Sequence, residues 1–101
     1  MYYGVNACWR RIGLMTLFHI EHKHFWDTCF GFDESKLDLW RQVVALAPEN
    51  GVTVHYFTLS ASQHVFFLLL EAPDYSAIEK TINHCRQLGP LTITPVTRFG
   101  E

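Results

Sequence analysis

His64-Val65-Phe66-Phe67-Leu68-Leu69-Leu70-Glu71 is the stretch on which the architecture turns. Its six central residues are all apolar, and because successive side chains of an extended chain alternate, a strand here presents apolar groups on both faces. Such a strand belongs inside a sheet with cover on each side. Before it, Leu59-Ser60-Ala61-Ser62-Gln63 is polar enough to turn the chain, and Val52 to Thr58 has the β-branched and aromatic content of a partner strand. Together they predict a hairpin.

Further upstream, Asp33 can cap a helix whose apolar positions Leu37, Trp40, Val44 and Ala47, with Val43 on the flank, follow the helical period. Asn50-Gly51 closes it, and Pro48 must distort its last turn. Leu14 to Ile20 is short, apolar and partly alternating, a first strand. Downstream, Pro73-Asp74 opens a second helix with Ile78, Ile82, Cys85 and Leu88 on its buried stripe, ended by Gly89-Pro90. Leu91 to Arg98 is the last strand, and Pro95 is tolerable there only at a sheet edge. The order β-α-β-β-α-β is the split βαβ, or ferredoxin-like, α+β arrangement, with an antiparallel sheet expected in the order 4-1-3-2 and both helices on one face. Something must then cover the other face. A second copy, packed sheet to sheet as a dimeric α+β barrel, is the economical answer; the competing one folds the N-terminal arm, residues 1–13, over its own sheet.

The 101 residues leave room for one core, residues 14–101, plus that arm, whose Tyr2, Tyr3 and Trp9 suit docking onto an apolar surface. An apolar content of 49 % with 18 % charged residues argues for a packed interior rather than disorder. Eight basic against ten acidic residues offer no footprint for nucleic acid or anionic lipid. No apolar run is long enough for a transmembrane helix. Arg10-Arg11 followed by Ile12 to Phe18 loosely imitates a signal peptide, but no cleavage pattern follows. Three cysteines, Cys8, Cys29 and Cys85, form neither a disulfide framework nor a zinc knuckle, and a cytoplasmic location is expected. Glycine-rich phosphate loops are absent, so no nucleotide cofactor is expected.

The chemistry concentrates after the first strand. Glu21-His22-Lys23-His24-Phe25-Trp26-Asp27-Thr28-Cys29 sets two imidazoles two residues apart, then a carboxylate and a thiol. In extended backbone His22 and His24 point to the same side and can share one ion. Strands one and three being antiparallel neighbours, His64 comes near them, and the second helix returns His84 and Cys85 to the neighbourhood. His22, His24, Cys29 and His64 thus form a candidate metal set with the nitrogen and sulfur preference of zinc, nickel, iron or copper, and Asp27 is placed to orient an imidazole from outside it. Phe25, Trp26, Phe30 and Phe32 can wall an apolar pocket or a subunit contact. His19 and His55, within strands, are expected to be packing residues, as are Trp40 and Cys85, while Glu21 and Glu71 remain further potential ligands or proton carriers. Cys29 as a nucleophile with a histidine base is a weaker alternative, because no thiol-hydrolase motif surrounds it.

The segment His22-x-His24-x-x-Asp27-x-Cys29 resembles that of a small, largely uncharacterised family of ferredoxin-like proteins. The resemblance spans about residues 15–98 and includes Pro48-Glu49-Asn50-Gly51-Val52, His64-Val65-Phe66-Phe67, Glu71-Ala72-Pro73-Asp74-Tyr75 and Leu91-Thr92-Ile93-Thr94-Pro95-Val96. Relatives commonly have Thr-Pro where this chain has Phe25-Trp26. The resemblance implies the ferredoxin-like fold, a dimer, and His22, His24, Cys29 and His64 as the residues to carry over; it supplies no reaction. A looser similarity of layout is to small nickel-binding ferredoxin-like proteins and to cofactor-free monooxygenases of the dimeric α+β barrel type. The expectation is therefore a homodimer with a His/Cys transition-metal site for sensing, storage or minor metal-assisted chemistry. Two alternatives stand beside it: a metal-free enzyme or binding module for a small apolar organic ligand, and a structural interaction protein with no site.

Overall fold

The computed structural model describes residues 15–24 and 33–100. Four strands and two helices follow in the order β1 (Thr16–Lys23), α1 (Glu34–Glu49), β2 (Thr53–Ser60), β3 (Val65–Ala72), α2 (Tyr75–Ile82) and β4 (Leu91–Val96), with a 3-10 segment, Asn83–Leu88, after α2. The strands make one antiparallel sheet in the spatial order β2-β3-β1-β4. This α+β architecture is compatible with a ferredoxin-like fold. The arm 1–13 expected from the sequence lies outside the described residues.

Each element starts where the local chemistry allows. Asp33 is extended at the α1 N-cap, where its carboxylate accepts from the Ser35 and Lys36 amides. The helix carries Pro48 in its last turn and ends on Asn50, whose amide is shared between the Leu46 and Ala47 carbonyls. Gly51 follows with φ +71, and the Val52 amide reaches back to the Ala47 carbonyl at 2.8 Å, which swings the chain straight into β2. One expectation is corrected here: Val43 is fully buried and Val44 is 53 % exposed, so Val43 and not Val44 belongs to the buried stripe with Trp40 and Ala47. A second correction concerns α2, which Asp74 caps through the Ala77 amide. Its α-helical part stops at Ile82 and the 3-10 segment carries Cys85 inward, so the even helical stripe expected through Leu88 is broken and Leu88 is only half-buried.

Phe18, Ile20, Phe66, Leu68 and Leu70 from the sheet join Trp40, Val43, Ala47, Ile78, Ile82 and Cys85 from the helical layer in a single core. Both helices therefore cover the same sheet face. The alternate residues of β1 and β3 project to the other face, where Leu17 and Val65 are buried and His19, Phe67, Leu69 and Glu71 are half-buried. β4 pairs only with β1, which leaves Pro95 on an edge strand, where a residue without an amide hydrogen is tolerated. No helix among the described residues is long and apolar enough to cross a membrane.

Candidate functional site

β1 runs three residues further than the sequence pattern suggests, which draws His22 out of the expected loop and into the sheet. There it pairs with Phe66 of β3 on one side and Leu91 of β4 on the other, facing the helices. No part of His22 reaches the surface. Its ring meets Trp40 of α1 nearly edge-on at a centroid distance of 4.8 Å and lies 6.1 Å from Phe66. His24 follows on the same side, buried just beyond the end of β1, with its ring 5.8 Å from that of His22.

His64 ends the β2–β3 turn directly opposite. Its carbonyl accepts the His24 amide at 3.1 Å, and the two rings stand almost perpendicular at 5.2 Å. The backbone of His64 is left-handed, with φ +56. For a residue with a Cβ that conformation costs on the order of 1 kcal/mol, and glycine would adopt it freely. Gly89 closes the cluster from the other flank of β1, just ahead of β4. A Cβ there would stand 2.8 Å from Nε2 of His22 and 3.0 Å from the Lys23 carbonyl oxygen, at a backbone φ of +148 that side chains avoid. The chain thus crosses His22 at a distance that only glycine permits.

Burial pushes the His22 imidazole down to about 4, reinforced by the neighbouring His24 and opposed by a backbone hydrogen bond with Leu88. His24 is lowered too, first by burial and then by His64. At neutral pH these rings are uncharged, the state in which an imidazole lends a lone pair to a metal or takes up a proton. Two imidazoles held by one tetrahedral ion, at bonds of about 2.0–2.1 Å, have ring centroids about 5 Å apart. The observed spacings of 5.2 and 5.8 Å lie close to that value. Even so, no three His, Cys, Asp or Glu side chains among the described residues are already arranged as a metal-holding group, so the rings must turn before an ion could bridge them.

Of the residues singled out from sequence, the structure brings together His22, His24 and His64. Cys29, Asp27 and the aromatics Phe25, Trp26, Phe30 and Phe32 lie outside the described residues. His84 and Cys85 approach α1 instead: His84 Nε2 donates to the Leu39 carbonyl at 2.7 Å, and the Cys85 thiol points to the same oxygen at 3.6 Å. Burial pushes the Cys85 thiol up to about 12, which keeps it protonated and in the core.

His55 departs from its expected packing role. The β2–β3 register slips between Val54 and Tyr56, leaving His55 as the extra residue of a bulge, and its Nε2 lies 2.7 Å from Glu71 Oε1. Both side chains are about one-third exposed, at 29 and 30 %. Nothing in the composition of Val54-His55-Tyr56 marks a bulge, which exists only in the pairing of two strands. No family model, curated protein or solved structure matches the chain.

Proposed function

We propose that His22, His24 and His64 supply three imidazoles of a transition-metal site, completed by the Cys29 thiolate and with Asp27 orienting a ligand, in a homodimer that uses the ion for sensing, storage or a small metal-assisted step. The observation that carries this reading is the file of adjacent rings, 5.8 and then 5.2 Å apart, at one end of the sheet. Burial keeps His22 and His24 neutral, so a metal ion competes with no proton there near pH 7. Nitrogen and sulfur donors favour zinc, nickel, iron or copper over magnesium or calcium. Trp40 and Phe66 form an apolar wall beside the rings, and Phe25, Trp26, Phe30 and Phe32 would extend it.

Metal content of protein prepared without a polyhistidine tag, and again after Co(II) replacement, tests the site. About one equivalent of ion per chain is expected, with a Co(II) ligand-field spectrum that disappears in His22→Ala/His24→Ala. Equal metal content in the parent and double variant overturns the proposal. A second reading draws on the absence of a preformed metal-holding group among the described residues. In it a histidine of the cluster carries protons beside an apolar ligand, and thermal stability responds to organic compounds but not to chelator.

A further inference from the structure

The face of the sheet turned away from the helices carries a second constellation. The bulge at His55 brings it onto the same face as its neighbour Tyr56, because the extra residue suspends the strict alternation of side chains. There His55 Nε2 lies 2.7 Å from Glu71 Oε1. A carboxylate in that position accepts a hydrogen bond from the Nε2–H and leaves Nδ1 as the ring's lone-pair nitrogen, the arrangement that makes an imidazole a proton acceptor. As a stabilising device the pair is weak, since partly exposed ion pairs contribute little. Beside it lie Leu69, Phe67, Tyr56 and His19. Leu69 is the register partner of both Tyr56 on β2 and His19 on β1, and the His19 ring sits 6.4 Å from Tyr56 and 6.2 Å from Phe67.

The geometry points to a binding site on this face for a small aromatic molecule bearing an acidic hydroxyl. The ring lies against Leu69, Phe67, Tyr56 and His19, and the hydroxyl meets His55. On binding, the O–H bond breaks and its proton passes to His55 Nδ1. The ligand keeps the electron pair as a phenolate, and the resulting imidazolium stays paired with the Glu71 carboxylate. No other reactant is needed. The site uses none of the three histidines behind the sheet and stands apart from the metal reading. In a sheet-to-sheet dimer the same groups would line the space between subunits.

The test uses 4-nitrophenol as probe, because its phenol and phenolate forms absorb at different wavelengths. At a pH where the free probe is mostly protonated, titration with the full chain should raise the phenolate band saturably. His55→Gln should reduce that rise at least tenfold, and Glu71→Gln should weaken it, with circular dichroism showing both variants folded. Excess chelator should leave the rise unchanged, which separates this site from the proposed metal site. Absence of a saturable band, an equal rise in His55→Gln, or a rise abolished by chelator overturns the inference. A dimer that seals the face against the probe gives the first of these results and overturns it as well.

Discussion

A histidine with no exposed surface ties stability to pH. His22 is held down to about 4 in the folded chain, against an ordinary value of 6.5. Between those values the unfolded chain binds a proton that the folded chain refuses, so the stability His22 allows is complete above about 6.5 and drains away as pH falls toward 4. The full shift corresponds to about 3 kcal/mol. Urea unfolding in the presence of chelator should therefore show a lower midpoint at pH 4.5 than at pH 7.5, and His22→Gln should lose markedly less over the same interval. An identical loss in the variant would assign the acid sensitivity elsewhere, with His24 the next group shifted in the same direction. At this scale the sequence was informative wherever a short-range rule applied. Two-residue spacing puts His22 and His24 on one side of a strand, and antiparallel pairing sets His64 beside His24. The requirement for glycine at position 89 was hidden, because its cause is a ring sixty-seven positions earlier in the chain.

Among the elements, α1 positions the wall behind the imidazoles through Trp40, and its start depends on one carboxylate. Removing the cap in Asp33→Ala orphans the Ser35 and Lys36 amides and should cost about 1 kcal/mol. Val44→Ala, on the exposed side of the same helix, should change stability by no more than about 0.5 kcal/mol. Chemical denaturation of the two variants side by side checks the pair, and a larger loss at Val44 would mean that the exposed side is covered. The caps Asp33 and Asp74 and the Asn50-Gly51 stop were legible because a helix terminus has local chemical needs. Less accessible was the choice between Val43 and Val44, adjacent and equally apolar, which only packing against the sheet decides. The same holds for the 3-10 segment, whose Cys85 meets the Leu39 carbonyl of a helix forty-six positions earlier.

For the molecule as a whole, association concerns the face without helices. We propose homodimerisation there because Phe67 and Leu69 are apolar and only half-buried in a single chain. Light scattering at micromolar concentration should give twice the 11.7 kDa mass of one chain, and Phe67→Glu should return the single-chain mass with its circular dichroism intact. A parent protein already at the single-chain mass would remove the dimer.

The placement of β1 between β3 and β4 has one more consequence. This strand precedes both its neighbours along the chain, and the β4 partner of His22 is Leu91, sixty-nine positions further on. Until β3 and β4 have both paired with it, the two flanks of His22 are not closed. Enclosing His22 therefore takes two pairings between distant parts of the chain, steps of the kind that slow folding.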